Sequence, residues 1–254
     1  MSLKKILSVF VLAIVYVTFL AGTGFAIGYD ALTDKVKAYS QGKMSHEEAL
    51  AFFSGISADQ SNEPKVRALA LATRARVYLS MGDRQKGVAD VKASWAIDDS
   101  IPAGYVTMAL VMLVEDNFAS ASDFFQTASE KSATDEGKKN NEKWAALTFA
   151  LANARTAADL HTEMTANLFA AEEKYKGKLI GIRGPVSKIG RTFSGLPEIT
   201  MKVASFKDVE CELTQEDIPN MAKLKKGDEI LLVCRLKKVY EVSVQLTECT
   251  MWKK

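Results

Sequence analysis

The hydrophobic pattern of this sequence changes its period once, at the stretch Asn167–Lys178. Before this stretch, apolar residues recur at helical spacing in an Ala-rich region. After it, apolar and polar residues alternate as they do in β-strands. Gly177 is a natural helix stop at the joint. The pattern predicts an α+β protein of two domains, with an all-α domain over residues 27–173 and a β domain over residues 174–254.

The N-terminus has the parts of an export signal. Lys4 and Lys5 form a positive segment, Ile6–Ala21 is apolar and uncharged, and Gly24-Phe25-Ala26 places small residues at a cleavage site. A signal peptide over residues 1–26 predicts a periplasmic or otherwise exported protein. Because the apolar run is long, the alternative is an uncleaved membrane anchor over residues 6–27. In that case the rest of the chain lies outside the cytoplasm, and the N-terminal segment is its only membrane contact.

Charge divides along the same boundary. Residues 27–173 carry a net charge of −6 and residues 174–254 a net charge of +6, although the whole chain has a net charge of only +2. Two solvated surfaces explain this pattern in the simplest way. The alternatives are that the two halves face each other or that the basic half meets an anionic partner.

The helical half contains a repeat of 34 residues across residues 65–132. Each unit reads helix–turn–helix, with turns at Met81-Gly82-Asp83 and Glu115-Asp116-Asn117. The aligned pairs are Tyr78 with Met112, Gly82 with Asp116, Gly87 with Ala121, Val91 with Phe125 and Ser94 with Ala128. This pattern resembles the tetratricopeptide (TPR) repeat. The resemblance implies an array of helical hairpins that offers a concave surface to an unknown protein partner.

The segments beside these two units read as imperfect copies. Asp30–Phe53 contains two helices, the second opened by the capping box that begins at Ser45. Leu160 and Met164 belong to a predicted final helix that runs on into Tyr175. Terminal units of such arrays are usually atypical because they cap the core.

The β half is predicted to contain five strands with one short helix after the third. The strands cover 179–186, 199–203, 209–213, 228–238 and 242–251, and the helix covers 215–222. This order is that of the OB-fold, a small five-stranded Greek-key β-barrel.

A set of short motifs accompanies this pattern. They are N-x-x-A-A-E-x-K-Y-K-G-K from Asn167, a strand containing Gly184 and Val186, V-x-C ending at Cys211, L-K-K-G-D from Leu224, and L-T-x-C from Leu246. Together they resemble the tRNA_anti-like family of OB domains over roughly residues 160–252. The sequence departs from the family pattern at Val233–Lys237, where G-x-C-x-G is expected. The family name implies nucleic acid only by analogy of fold, and the resemblance implies no enzymatic activity.

An OB-fold binds ligands on the face of its second and third strands and on two of its loops. The residues at these positions are predicted as a ligand-binding site, and they are Arg191, Phe193, Lys202, Lys207, Lys238 and Tyr240. They form a basic rim with two aromatic side chains, whereas scattered lysines are also the ordinary surface of a small barrel. An anionic polymer (single-stranded nucleic acid, polysaccharide or lipid headgroup) is the alternative ligand. Nucleic acid is predicted to be an unlikely partner because stacking platforms need more aromatics.

The sequence offers little for catalysis. His46 and His161 lie in different segments, and neither has metal-ligand spacing to a cysteine or a carboxylate pair, so both are predicted to be surface residues. Phosphate-loop, dinucleotide and serine-hydrolase motifs are missing from the sequence. We therefore predict a binding protein that is not an enzyme and has no cofactor and no metal.

Three cysteines occur in the β half. Cys211 and Cys249 fall on the third and fifth predicted strands, which are neighbours in an OB barrel, and export favours oxidation of thiols. They are predicted to form a disulfide, with Cys234 free. Three buried thiols remain the alternative.

Overall fold

A computed structural model describes residues 26–205 and 207–252 of the protein. The predicted signal peptide 1–26 and the alternative anchor 6–27 therefore lie almost wholly outside the described residues. Within the two described ranges, no helix combines the length and the apolar character that a membrane crossing requires.

Helices occupy the first part of the described chain. They are α1 (Ala26–Ser40), α2 (His46–Ala58), α3 (Pro64–Ser80), α4 (Arg84–Ile97), α5 (Pro102–Val114), α6 (Phe118–Glu130), α7 (Asp135–Ala152), α8 (Ala157–Ala166) and α9 (Leu168–Tyr175). Strands dominate the remainder. They are β1 (Arg155–Thr156), β2 (Leu179–Pro185), β3 (Lys188–Arg191), β4 (Pro197–Ala204), β5 (Lys207–Leu213), β6 (Glu229–Val239) and β7 (Ser243–Trp252), with the short helix α10 (Ile218–Met221) before β6. The α+β class is confirmed.

The chain forms two compact units that divide between Ala145 and Ala146, within α7. This division differs from the boundary at 173/174 placed by hydrophobic period. The physical reason is that α8 and α9 are helical but pack on the strands. Leu160 and Met164 of α8 are fully buried in the same core as the sheet residues.

The repeat of 34 residues reappears in the local geometry of the first unit. Gly82 and Asp116 both have positive φ, 84° and 55°, at the turns that follow α3 and α5. The next residue in each case, Asp83 or Asn117, accepts a hydrogen bond from a backbone N–H of the following helix. Asn and Asp are favoured at such N-caps, and Gly, Asn and Asp at left-handed turn positions. The two hairpins α3–α4 and α5–α6 are therefore closed by the same device.

Close contact between paired helices depends on a small residue, as the repeat pattern predicts. A Cβ added to Gly87 of α4 would lie 2.9 Å from Leu79 Cδ2 and 3.1 Å from the Ala75 carbonyl oxygen, both on α3. Val91 and Phe125, predicted to fill the space behind the small residues, are fully buried.

The strands form one mixed sheet of seven in the order β1-β2-β6-β7-β5-β4-β3. The pairs β1–β2 and β5–β7 are parallel, and the other neighbours are antiparallel. Five strands in a closed barrel were predicted, and the sheet of seven does not confirm that count or that closure. Two strands account for the difference. β1 adds a strand at one edge of the sheet, and β3 lies at the opposite edge although it follows β2 in the chain.

Residues 186 and 187 connect these distant parts of the sheet. The Val186 N–H donates to the Asp228 carbonyl oxygen at 2.9 Å, beside β6. The Ser187 N–H donates to the Thr200 carbonyl oxygen of β4 at 2.8 Å, and its hydroxyl donates to the same oxygen. Two consecutive residues therefore form hydrogen bonds with segments that are far apart in the strand order, Val186 beside β6 and Ser187 on β4.

The final predicted helix is broken into two. Asn167 has extended backbone (φ −154°), ends α8, and caps α9 by accepting a hydrogen bond from the Ala170 N–H. The prediction of one helix from Leu160 into Tyr175 is therefore wrong. The helix is interrupted because the Asn167 side chain accepts a hydrogen bond from a backbone N–H and starts a new helix.

Candidate ligand surface on the sheet

The strands β4 and β5 have one buried and one outward face. Ile199 and Met201 of β4, with Val209 and Cys211 of β5, are fully buried. The alternating residues point away from the core because successive side chains of a strand lie on opposite faces. The outward face is the surface on which the sequence predicts ligand binding.

Carboxylates occupy the middle of this outward face. Glu198 lies directly opposite Glu212 in the β4–β5 register, and Glu210 lies opposite Thr200. Like charges that face each other across strands are unfavourable. Burial raises the pKa of Glu198 above its ordinary value, and the negative charge of Glu210 raises it further.

Neighbouring strands satisfy two of these carboxylates. Gln245 Nε2 of β7 donates to Glu210 at 2.8 Å. Glu212 accepts from Lys237 Nζ at 2.8 Å and from Thr247 Oγ1 at 3.0 Å. The polar row across β5, β7 and β6 was not predicted as part of the site. The alternating sequences of β5 and β7 indicate which side chains point outward. They do not reveal the register that pairs the two strands, so the contacts between these side chains could not be predicted.

The predicted aromatic residues lie on two ordered turns. Phe193 is fully exposed in the turn between β3 and β4, where the Thr192 N–H donates to the Leu196 carbonyl oxygen at 2.8 Å. Arg191 supports this turn by donating from Nη1 to the Gly195 carbonyl oxygen at 2.7 Å. Phe193 is therefore displayed by a turn that is closed by hydrogen bonds and carries the positive charge of Arg191.

The second aromatic residue lies between β6 and β7. Tyr240 is 39% exposed, and its N–H donates to the Ser243 carbonyl oxygen at 2.8 Å. Lys238 Nζ lies 5.1 Å from the centroid of the Tyr240 ring, within the range of a cation–π contact. Of the six predicted site residues, this pair is brought into direct contact.

The remaining two predicted residues are exposed lysines on neighbouring strands. Lys202 of β4 lies opposite Asp208 of β5, and Lys207 lies opposite Ala204. The predicted site is therefore a surface with an acidic middle and cations at its edges. Such a surface can accept hydrogen-bond donors and cationic groups in its middle, and it can stack an apolar or aromatic group on Phe193.

The cysteines pair differently from the prediction. Cys234 of β6 and Cys249 of β7 form the disulfide, with Cα atoms 4.1 Å apart, and Cys211 is a buried free thiol. The predicted Cys211–Cys249 bond is wrong, although the three sulfur atoms lie within 4.8 Å of one another. The β5–β7 register places Leu246 opposite Cys211 and Leu213 opposite Cys249, and the β6–β7 register is irregular between Val233 and Arg235, where Cys234 lies. Glu248, just before Cys249, takes positive φ at this point.

The motif around Tyr175 has a structural role. Lys174 Nζ and the Tyr175 hydroxyl both reach Glu163 Oε1 of α8, the hydroxyl at 2.7 Å, and Arg155 of β1 pairs with Glu163 Oε2. These contacts tie the end of α9 to α8 and β1. Glu163 was not singled out in the sequence, because the motif begins only at Asn167.

The two histidines have different surroundings. His46 is exposed, as predicted, and its Nδ1 lies 3.1 Å from the Tyr39 hydroxyl. His161 of α8 is 1% exposed, so its prediction as a surface residue is wrong. Its helix packs on the sheet, and this covers the face that a free helix would leave in solvent.

Sequence comparison now decides the family. The profile of the tRNA_anti-like family matches residues 101–250, more than half of the chain. The chain belongs to the tRNA_anti-like family. The matched region of this tRNA_anti-like protein begins at Ile101, directly before α5 in the helical unit, and ends within β7. It is longer than the region from residue 160 that the motifs indicate, and it covers all six predicted site residues.

Several solved structures resemble the chain. One of them is a lipoprotein from Klebsiella pneumoniae for which nucleic-acid binding has been proposed. The sequence identity is 20%, the alignment covers 41% of the tRNA_anti-like chain and 97% of the lipoprotein, and the TM-score is 0.35. A TM-score at this level supports no argument about fold or ligand. None of the curated proteins matches the sequence.

Proposed function

We propose that this tRNA_anti-like protein is an exported, non-enzymatic binding protein, in which a TPR-like helical array holds a protein partner and an OB-like sheet supplies a second ligand surface. The observation that carries the proposal is the repeated hairpin closure at Gly82-Asp83 and Asp116-Asn117. Arrays of helical hairpins present extended surfaces built from equivalent helices, and proteins use these surfaces for protein–protein contacts.

The OB-like interpretation of the sheet rests on residues 186–187. If β2 and β3 are two halves of one bent strand, the order β2-β6-β7-β5-β4-β3 returns to its starting strand, as in a five-stranded barrel. The hydrogen bonds of Val186 toward β6 and of Ser187 toward β4 support this interpretation. β1 is then an addition to the edge of the barrel.

The proposal for the helical unit is tested by site-directed photo-crosslinking in the native cell envelope. Met81 directly follows α3 and Val114 is the last residue of α5. Each is 52% exposed, so both are suitable positions for a photoreactive side chain. Phe169 of α9, which is 84% exposed in the other unit, is the matched control position. One discrete adduct from positions 81 and 114, absent from position 169, supports the adaptor role once the purified partner binds the purified full chain. Failure of that purified pair to bind rejects the role.

Export is tested on the same material. N-terminal sequencing of the envelope form is expected to begin at Ile27, because Gly24 and Ala26 place small residues at the cleavage site. A chain that starts at Met1 in the membrane fraction would replace cleavage by the anchor over residues 6–27. A chain found in the cytosol would reject both forms of export.

The second candidate function is binding of an anionic polymer by the sheet. Phe193, Tyr240 and the cations at the edges favour it, whereas Glu198, Glu210 and Glu212 in the middle of the face oppose a phosphate backbone. Single-stranded nucleic acid, the ligand that the family name suggests, is the first polymer to test, and we expect it to bind weakly.

A further inference from the structure

Arg76 of α3 is a buried cation without an acidic partner among the described residues. It is 4% exposed, and desolvation lowers the pKa of its guanidinium to about 10, so it stays charged at neutral pH. Its hydrogen bonds go to neutral acceptors: Nε donates to Thr107 Oγ1 at 3.0 Å, and Nη2 donates to the Ala103 carbonyl oxygen at 3.4 Å. A buried charge that is not paired is costly to the folded state.

Arg74, two residues earlier on the same helix, shows how this protein neutralises a guanidinium. Arg74 Nε and Nη2 each donate to one oxygen of Asp90, both at 2.7 Å. Nη1 donates to Ser54 Oγ at 2.9 Å. Arg74 is less buried than Arg76, yet it has the full bidentate partner that Arg76 lacks. Arg76 therefore has no acidic counter-charge among the described residues.

The surroundings of Arg76 are formed by the first helices of neighbouring hairpins. Thr107 and Ala103 belong to α5, and Tyr39 of α1 lies close enough to influence the pKa of Arg76. These helices are the first members of the hairpins α1–α2, α3–α4 and α5–α6, so Arg76 lies where equivalent helices of the array meet. The Tyr39 hydroxyl lies 2.7 Å from Ser80 Oγ and 3.1 Å from His46 Nδ1, so it belongs to a polar cluster at the C-terminal end of α3.

From this arrangement we infer that Arg76 is the anchor of a carboxylate-binding site in the helical array. The inference rests on the proposed function, since it names the chemistry of the partner that the array would hold. Nη1 and the second N–H of Nη2 have no hydrogen bond in the described part of the chain, and together they form the planar fork that matches a carboxylate. One isolated positive charge suits a monoanion such as a carboxylate better than a dianionic phosphate.

The test uses the full chain labelled with ¹⁵N-arginine and follows the Arg76 Nε–Hε resonance, assigned by its loss in Arg76→Gln. Sodium acetate is expected to shift this resonance in a saturable manner, whereas sodium chloride and methyl phosphate at equal ionic strength are expected to give at most a small linear drift. The resonance of Arg74 is the internal control, because its carboxylate partner is already present. No saturable shift with acetate, or equal saturation with methyl phosphate, would overturn the inference.

Three pentapeptides distinguish the source of the carboxylate. They are acetyl-pentaalanine with a free C-terminus, the same peptide with a C-terminal amide, and acetyl-Ala-Ala-Glu-Ala-Ala-amide. Binding of the first alone assigns a chain terminus, and binding of the third assigns an acidic side chain. Binding of the C-terminal amide as tightly as the free acid would reject a carboxylate site.

Thermal unfolding separates a ligand site from a purely structural arginine. Arg76→Gln is expected to unfold at or above the wild-type temperature without ligand, and to lose the stabilisation that acetate gives to the wild type. A lower unfolding temperature for Arg76→Gln together with undiminished acetate stabilisation would assign Arg76 a structural role only. Lys65→Gln, which removes an exposed charge from the same helix, is the matched control.

If Arg76→Gln does not fold, Arg76→Lys keeps the charge but lacks the planar fork, and it is expected to bind at least about tenfold more weakly. The crosslinking experiment tests the adaptor role, and the acetate titration tests the carboxylate site, so either proposal can be rejected without the other. Carboxylate binding without a protein partner would reject the adaptor role and keep the site, whereas a protein partner bound equally by wild type and Arg76→Gln would keep the role and reject the site as its anchor.

Discussion

Cys234 and Cys249 are bonded across β6 and β7 with their Cα atoms 4.1 Å apart, and the sulfur of Cys211 lies within 4.8 Å of both sulfurs. The sheet core therefore contains one cross-link and one reduced thiol in direct proximity. The Cys211 thiol is completely buried, and this burial raises its pKa well above the ordinary range of a thiol. Because the thiolate is the reactive form, Cys211 is expected to be inert in the folded protein.

Removing the Cys234–Cys249 disulfide should lower the free energy of unfolding. Replacing Cys211 should leave this disulfide intact. Cys234→Ser is expected to destabilise the sheet unit by about 3 kcal/mol, because the cross-link closes a loop of 15 residues. Urea unfolding of wild type, Cys234→Ser and Cys211→Ser measures this difference. In native buffer, iodoacetamide should label none of the wild-type cysteines, and in urea it should label Cys211 alone. A peptide digest that joins Cys211 to Cys249 in the wild type would contradict the assignment.

Gly181 is expected to be the least replaceable glycine of β2. A Cβ at this position would lie 2.0 Å from the carbonyl oxygen of Ala150, at the end of α7, and backbone cannot move aside cheaply. Gly181→Ala should therefore destabilise the protein by about 3 kcal/mol or more, at the upper end of overpacking effects. The measurement is the urea midpoint at constant slope.

Gly190→Ala is the matched control for that change. It lies on β3, and the nearest atom to its added Cβ would be Lys188 Cε at 3.8 Å, an ordinary contact with a flexible side chain. Its effect should stay within about 0.5 kcal/mol. Equal losses from the two substitutions would show that α7 does not hold β2 at this distance.

Neutralising Glu198 should stabilise the protein at pH 7. Because the folded state raises the pKa of Glu198 above 4.5, it favours the protonated carboxyl, and this contribution is present below pH 4.5 and lost as pH rises. Glu198→Gln removes the repulsion by Glu210 and is expected to gain about 0.5 kcal/mol or less at pH 7, since the side chain is partly exposed. The gain should shrink toward zero at pH 4.

Urea midpoints at pH 7 and pH 4 measure this dependence, with Glu241→Gln in the exposed loop after β6 as the control. A loss of stability in Glu198→Gln at pH 7, or a gain that grows in acid, would mean that Glu198 makes a favourable contact as a carboxylate.

Single-stranded nucleic acid is expected to bind the full chain with a dissociation constant weaker than about 1 μM at 150 mM salt. Phe193 and Tyr240 can stack two bases, each worth about 1–3 kcal/mol, and the carboxylates oppose a phosphate backbone. Labelled DNA and RNA oligonucleotides titrated against the protein test this. Tighter binding that is lost in Phe193→Ala or Tyr240→Ala, and strengthened in Glu198→Gln, would make the anionic polymer the leading ligand.

Sequence patterns predicted best where a local rule is sufficient. The turns at Gly82 and Asp116, the capping box at Ser45 and the small residue at Gly87 each depend on neighbouring residues or one helix pair, and all four are present as predicted. The class of the β half was also readable, because alternation marks strands directly.

The errors came from relationships between distant segments. The pairing of Cys249 depends on an irregularity at Glu248 that only the β6–β7 register determines. The burial of His161 depends on the sheet beneath α8. The sequence does not indicate that Arg76 is special, because a charged residue in an Ala-rich helix is expected to face solvent. Its burial and its lack of an acidic partner depend on neighbouring helices that the sequence does not identify.

The junction at residues 186–187 also has a consequence for the order of folding. β3 pairs with β4 across a short turn, and β4 pairs with β5 across another, so these contacts are local in the chain. β2, just two residues before β3, pairs with β6 instead, with Ile182 opposite Leu232. Pairings between residues so far apart in the chain close slowly. We therefore expect the β3–β4–β5 meander to assemble early, and the pairing of β2 with β6 to limit the folding rate.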